Sequence, residues 1–176
     1  MIEISRYEVQ GGVSEYHVMI HVDNPRLAYA EQAKSVLSAY TQLLEGELKG
    51  AVTVLKRFFL SDAANQSDYL QTLLVEQEAC PLSIVEQSPL NGTKIALWAY
   101  LQKGVELKSL SHGMYEVKHG AYRHLWMAGA CHETSDAEAQ TRQLFDDYIT
   151  LLREQGCTLA ENCLRTWFFV QNVDVN

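Results

Sequence analysis

An arginine flanked by aromatic side chains is the sharpest candidate for chemistry in this 176-residue chain. If residues 163–170 form a strand, Arg165 and Trp167 lie on one face of it, because side chains alternate between the two faces. A guanidinium beside an aromatic ring can bind a planar carboxylate while it stacks on the ring. The alternative is an interface arginine that pairs with Asp or Glu. The sequence therefore offers Arg165 and Trp167 as ligand-binding residues, with the interface role left open.

A second candidate group opens the strand predicted over residues 122–130. Tyr122 and Arg123 stand at its start, and His124 follows them. Histidine titrates near neutral pH and is therefore available for proton transfer. The structural alternatives are a tyrosine at the edge of a strand and a histidine at the surface or at an interface. Proton transfer also requires geometry, which a sequence does not supply.

Cysteine and histidine spacing predicts no metal site. The four cysteines, Cys80, Cys131, Cys157 and Cys163, never show C-x-x-C spacing. Cys131-His132-Glu133 is a tempting triplet, but neighbours along a strand point to opposite faces, and no second ligand pair has the required spacing. We therefore predict no metal, no cofactor and reduced, buried thiols that pack as small apolar groups.

Charge and hydropathy argue against two classes of partner, nucleic acids and membranes. The net charge is −8, and no basic patch of the kind used to bind nucleic acid is visible. No apolar run approaches the roughly 18 residues that a membrane span needs. The N-terminal residues lack the apolar core of a signal peptide. We expect a cytoplasmic protein that binds neither nucleic acid nor membrane.

The chain contains an internal repeat. When the sequence is shifted by 108 positions, residues 7–44 match residues 115–152 at nine positions without a gap, where chance would give roughly two. A slip of two residues then aligns Phe58-Phe59 with Phe168-Phe169. A period of this size indicates a duplicated domain, whereas solenoid repeats are much shorter.

Each copy is predicted to begin with a hairpin, a helix and a strand. Alternating residues indicate strands over 14–22 and 122–130, and 3.6-residue spacing indicates helices over 27–45 and 136–154. The third strands are predicted over 51–60 and 163–170, and the first copy continues with a helix over 62–77 and two closing strands. The predicted domains are residues 1–104 and 114–176, joined by a connector over 105–113. The second lacks counterparts of the closing elements.

This element order resembles the reactive-intermediate deaminase family, also called RidA, YjgF or L-PSP endoribonuclease-like. The matching segments are Gly120-Ala121-Tyr122, Met127-Ala128-Gly129 and the run that begins Arg165-Thr166 and extends to residue 172. Residues 55–62 and 80–86 match in the first copy. Two such units in tandem resemble the chorismatase-like branch of the family.

The resemblance implies an α+β fold, with a mixed, largely antiparallel sheet and two helices on one face. It implies homo-oligomers of the trimer type, with ligand clefts between units that Tyr122 and Gly129 would line. It also implies hydrolysis of enamines, imines or the enolpyruvyl ether of chorismate, all small carboxylates. The older name adds RNA cleavage, which the charge of −8 disfavours.

Three departures from the family pattern bear on catalysis. The family's carboxylate-binding arginine stands where this chain has Leu82, and an apolar side chain cannot hold a carboxylate. The second copy's equivalent segment lies beyond residue 176, and Ala128 replaces a common serine. We therefore expect part of a hydrolase that is catalytically incomplete by itself. The alternative is a non-catalytic module for ligand binding or oligomer assembly.

Overall fold

The computed structural model describes residues 1–75, 79–132 and 136–170. The chain divides into two compact units, Met1–Gly129 and Ala130–Asn176. Residues 76–77 of the predicted second helix, Glu133 and residues 171–172 of the family-like segment lie outside the described residues.

A five-stranded mixed sheet forms the centre of the first unit. Its strands are β1 (Ile2–Tyr7), β2 (Ser14–His21), β3 (Val52–Leu60), β4 (Leu82–Glu86) and β5 (Ile95–Lys103). They lie in the order β1-β2-β5-β3-β4. The β3–β4 pair is parallel and the other pairs are antiparallel. The predicted α+β class with a mixed sheet is confirmed.

Two helices cover one face of this sheet. Helix α1 (Tyr29–Glu45) packs on β2 and β5, and helix α2 (Ala63–Leu74) packs on β3 and β4. Asp62 caps α2, because its carboxylate accepts a hydrogen bond from the backbone N–H of Asn65 at 3.2 Å. The apolar stripe of α1 and alternate strand residues form the main core: Tyr16, Val18, Ile20, Val36, Tyr40, Phe58, Leu60, Leu97 and Leu101.

A three-stranded antiparallel sheet of the same unit lies on the opposite face, which α1 and α2 do not cover. It consists of β6 (Glu106–Ser109), β7 (Met114–His119) and β8 (Tyr122–Met127), with β7 in the middle. Residues 105–113, which the sequence predicts as a connector, thus contain the strand β6. Pairing with β7 satisfies the backbone of this four-residue strand, and Leu107 packs with Val117 against the larger sheet.

The first compact unit thus extends past the end of the first sequence copy. Val117 and Trp126, which belong to the second copy, pack against Leu55 and Tyr100 of the five-stranded sheet. Compactness divides the chain after Gly129, whereas the repeat divides it near residue 114. Compactness reflects contacts in space, whereas the repeat reflects similarity of sequence. The domain limits derived from the repeat therefore stay a prediction.

The second compact unit holds helix α3 (Ala137–Glu154) and the one-turn helix α4 (Leu159–Asn162). Asp136 caps α3 by accepting hydrogen bonds from two backbone N–H groups. The predicted strand over 163–170 is wrong: the segment follows α4 without strand pairing. A strand needs a hydrogen-bonded neighbour, and the described part of this unit contains none. Among the described residues, no helix combines the length and apolarity required to cross a membrane.

Candidate functional site

Arg165 and Trp167 lie together, as their spacing predicted, although they are not on a strand. The guanidinium carbon of Arg165 is 5.4 Å from the centroid of the Trp167 ring, within the range of a cation–π contact. Trp167 is 45 % exposed, and Arg165 is exposed as well. A guanidinium that stacks on a ring through its face can still bind a carboxylate through its edge.

The surroundings of this pair are apolar and exposed. Leu164 is 87 % exposed, and Phe168, Phe169 and Val170 are each between 40 and 49 % exposed. The ring of Phe168 lies 5.4 Å from that of Phe145 on α3, so the segment is anchored to the helix at this point. Several exposed apolar side chains in one short segment are typical of an interface, so the interface role of Arg165 stays open.

Arg123, the next predicted ligand residue, forms an ion pair within the small sheet. Its Nη1 donates to Oε2 of the buried Glu116 at 3.2 Å, and Lys118 Nζ lies 3.2 Å from the other carboxylate oxygen. Burial opposes ionisation of Glu116, but the hydrogen bonds and charges of Lys118 and Arg123 outweigh it and lower the pKa of this carboxyl. Arg123 therefore stabilises a buried carboxylate of its own sheet.

Tyr122 is the first residue of β8, and Gly129 lies two residues after the strand ends. Tyr122 is 75 % exposed beside the hairpin turn. Gly129 has a φ of +72°, and a Cβ at this position would lie 2.6 Å from the carbonyl oxygen of Leu82. Glycine is therefore required because the backbone passes close to the start of β4. The ligand-binding roles of both residues stay predictions.

Cys131 and His132, which the sequence places side by side, show no arrangement typical of a metal site or a nucleophile. His132 Nε2 lies 2.9 Å from Asp147 Oδ2. Cys131 is exposed, so the prediction of four buried thiols is wrong for it, because it follows β8 outside any packed element. Within the described ranges, no three His, Cys, Asp or Glu side chains are grouped so as to hold a metal ion.

Sequence reasoning missed a cluster around Arg57, on the face of the larger sheet that α1 and α2 do not cover. Arg57 lies on β3, opposite Trp98 of β5 and Ser83 of β4. It is only 9 % exposed, and its guanidinium carbon lies 5.5 Å from the centroid of the Trp98 ring. Burial lowers the pKa of Arg57. A cation is thus held inside the sheet against an aromatic ring.

Four rings continue from this arginine along the same face, and we call them the aromatic row: His17, Trp98, Tyr100 and Trp126. His17 stacks on Trp98 at 5.8 Å and on Tyr100 at 4.8 Å, with interplanar angles of 23° and 25°. Tyr100 and Trp126 are 5.4 Å apart. Gln102 Nε2 donates to the Tyr100 hydroxyl at 2.7 Å. The Arg57 guanidinium therefore contacts the first ring of a series of aromatic rings, each in contact with the next.

One signal in the sequence could have identified this cluster. Lys56-Arg57 interrupts a strand that is otherwise almost entirely apolar. Because neighbours on a strand point to opposite faces, one cation had to enter each face of the sheet. Lys56 indeed lies on the helix-covered face, with Nζ 5.7 Å from the ring centroid of Tyr40. Buried cations of this kind are uncommon unless they are paired or functional.

Comparison with known proteins adds little to this geometry. No family model matches the sequence, and no curated protein matches it. A similar solved structure is an uncharacterized protein from Pseudomonas aeruginosa, at 15 % identity and a TM-score of 0.42. The similarity covers 57 % of this chain and 99 % of that one.

Proposed function

We propose that this chain is part of a cytoplasmic, tandem RidA/YjgF/L-PSP-like protein that binds a small carboxylate metabolite. The observation that carries the proposal is the Arg165 guanidinium over the exposed ring of Trp167. The mixed α+β sheet with two helices on one face is compatible with that family, and the 108-residue repeat supports the tandem arrangement.

The recognition rests on two features that a small carboxylate matches. The guanidinium edge can donate two parallel hydrogen bonds to the two carboxylate oxygens, a geometry that lysine does not provide. The ring below holds the guanidinium in place and adds an apolar surface for the rest of the ligand. A hydrogen bond to a charged group contributes about 1.5–3 kcal/mol, so even one such contact is measurable.

The family resemblance would make the ligand an enamine, an imine or an enolpyruvyl ether. Leu82 occupies the position of the family's carboxylate-binding arginine, and it lies at the start of β4. A leucine cannot supply that contact, so we propose that this chain binds carboxylates without hydrolysing imines by itself.

The test is a titration with pyruvate, followed by NMR of the indole N–H signals of the three tryptophans. We expect a saturable shift of the Trp167 signal. Arg165→Lys keeps the charge but loses the two-pronged geometry, so the affinity should fall roughly tenfold or more. Arg153→Lys, an exposed arginine in the last turn of α3, is the control and should change nothing. Equal affinities of wild type and Arg165→Lys would refute the proposal.

A second candidate function is oligomer assembly, and the exposed apolar residues around Arg165 favour it. The segment 164–170 exposes three apolar residues besides its rings at positions 167 and 168, namely Leu164, Phe169 and Val170. Phenylalanine and valine also favour strands, which can pair with another chain. Light scattering after size exclusion should give a homo-oligomeric mass for the wild type and a lower mass for Phe169→Glu. Leu90→Glu is the matched control, since Leu90 is fully exposed in a turn of the first unit. A mass that Phe169→Glu leaves unchanged would exclude this segment as the interface.

A further inference from the structure

We propose that the first compact unit binds a hydroxyl group between its two sheets, with Gln102 as the acceptor and Trp126 as the donor. The bound hydroxyl belongs to a water molecule or to a small alcohol, since both present the same O–H group. The site lies within Met1–Gly129 and is separate from Arg165 and Trp167 of the other unit.

Tyr100 fixes the orientation of the Gln102 side chain. Both residues lie on β5, and because they are two positions apart, their side chains share one face of the sheet. Burial and a hydrogen bond to Glu15 raise the pKa of Tyr100, so its hydroxyl stays protonated and donates to that carboxylate. The same hydroxyl accepts a hydrogen bond from Gln102 Nε2 at 2.7 Å. The other end of the amide, Gln102 Oε1, therefore needs a donor of its own.

Gln102 Oε1 is a buried acceptor that lacks such a donor. The residue is 4 % exposed, and this oxygen has no hydrogen-bond partner among the described residues. A buried amide oxygen is unfavourable unless it receives a hydrogen bond. Exchanging the two ends of the amide would not help, because the Tyr100 proton already goes to Glu15.

Trp126 brings a donor to the same tyrosine. Its ring lies 5.4 Å from the Tyr100 ring, and its Nε1 is buried with no hydrogen-bond partner within the described ranges. A buried indole N–H usually has such a partner. The surrounding cluster is apolar and includes the buried Leu55 and Val117. An unused acceptor on Gln102 and an unused donor on Trp126 therefore border one tyrosine.

The chemistry of these two groups selects a hydroxyl. One O–H group donates its proton to Gln102 Oε1 and accepts from Trp126 Nε1 on its oxygen. An ionised carboxylate only accepts and an ammonium only donates, so either ion would leave one of the two groups unsatisfied. Internal water commonly bridges buried polar groups in this way. The hydroxyl of a small alcohol has the same bonding capacity.

The experiment records NMR cross-peaks between water and the three indole N–H groups of the full chain. We expect a cross-peak from long-lived water at Trp126, assigned by its loss in Trp126→Phe. In Gln102→Met the side chain has a similar length but no amide oxygen. The cross-peak should be lost there, because the bound group keeps only one of its two partners. Gln42→Met, on the exposed side of α1, is the control and should leave it unchanged.

A titration with millimolar phenol distinguishes the two sources of the hydroxyl. A saturable shift of the Trp126 signal with phenol but not with toluene, which has the same ring without the hydroxyl, assigns the site to an alcohol. A water cross-peak that phenol leaves unchanged assigns the site to water. In both cases Gln102→Met should remove the response.

The proposal is wrong if wild-type Trp126 shows neither a water cross-peak nor a saturable shift with phenol. It is also wrong if the response at Trp126 is the same in Gln102→Met, or if toluene shifts the signal as phenol does and water gives no cross-peak. If Gln102→Met does not fold, the measurements on the wild-type chain still decide. The pyruvate titration at Trp167 reports on Arg165 separately, so either site can fail alone.

Discussion

Helices α1 and α3 come from the two copies of the repeat, and they differ in what covers their apolar stripes. The apolar stripe of α1 lies on the five-stranded sheet, and six residues of this helix are buried. In the described residues of α3 only Leu152 is fully buried. The sequence of each copy is thus sufficient to specify a helix, whereas the depth of its burial depends on the sheet that the rest of its unit provides.

The matched tyrosines of the two helices show the same difference. Tyr40 is 2 % exposed, and its hydroxyl lies 2.5 Å from Thr53 Oγ1 on β3. Its counterpart Tyr148 is only half-buried. Burial, together with the neighbouring Cys163, raises the pKa of Tyr148 to about 12. Tyr40 thus links α1 to the strand β3 by a hydrogen bond. Tyr148 instead lies beside the Cys163 thiol, at the start of a segment without strand pairing.

The hairpins of the two copies differ as well. Six residues, 8–13, separate β1 from β2, whereas only Gly120 and Ala121 separate β7 from β8. Tyr7 pairs with Glu15, but its counterpart Tyr115 pairs with Trp126. Identical residues thus occupy different registers, because the length of the turn sets the pairing.

The largest contrast should be seen at the matched phenylalanines. Phe58 is fully buried in β3, while its counterpart Phe168 is 46 % exposed. Phe58→Ala should lower the free energy of unfolding by about 3–5 kcal/mol, because it removes a large core side chain. Phe168→Ala should cost about 1 kcal/mol or less. Urea unfolding of both variants measures the difference, and equal losses would break the comparison.

The next effect concerns Gly129, whose counterpart His21 lies in the regular strand β2. Gly129→Ala places a methyl group 2.6 Å from a backbone oxygen at a positive φ. We expect a loss of about 2–3 kcal/mol. Gly120→Ala is the control, because its φ is also positive but nothing lies within 4 Å of the new Cβ. It should cost about 1 kcal/mol. Similar losses in thermal or urea unfolding would mean that the close approach to Leu82 is unimportant.

A smaller effect distinguishes the matched glutamates. Glu116 is buried between two cations, whereas the exposed Glu8 only accepts a hydrogen bond from the Tyr16 hydroxyl at 2.8 Å. Glu116→Gln should therefore lower stability at pH 7 by about 1–3 kcal/mol. Glu8→Gln should stay within about 0.5 kcal/mol of the wild type.

The stabilising contribution of Glu116 should depend on pH, and the direction follows from its pKa. The pKa of Glu116 is lowered in the folded state from its ordinary value of 4.5. Its stabilising contribution is therefore complete above that value and is lost as the pH falls through the folded-state pKa. The difference in stability between wild type and Glu116→Gln should shrink over this acid range. A difference that is constant between neutral and acid pH would contradict the ion-pair account.

Local patterns predicted the parts of the molecule that depend on near neighbours. Alternation located β2 and β8, and helical spacing located α1 and α3. The proximity of Arg165 and Trp167 was predictable because only one residue separates them. The parts that were wrong or missed depend on partners that are distant in the sequence. The strand β6 exists because β7 pairs with it, whereas residues 163–170 lack a strand to pair with. Arg57 contacts Trp98 only because the β3–β5 register places them opposite each other.

Hydrogen exchange measured by mass spectrometry tests the contrast between the two copies most directly, because it reports on α1 and α3 in the same molecule. The buried stripe of α1 predicts slow exchange of its amides, close to the rate set by global unfolding. The exposed surroundings of α3 predict faster exchange at low protein concentration, with protection that increases as the protein is concentrated if residues 164–170 form an interface. Equal protection of Tyr29–Glu45 and Ala137–Glu154 at every concentration would contradict the account.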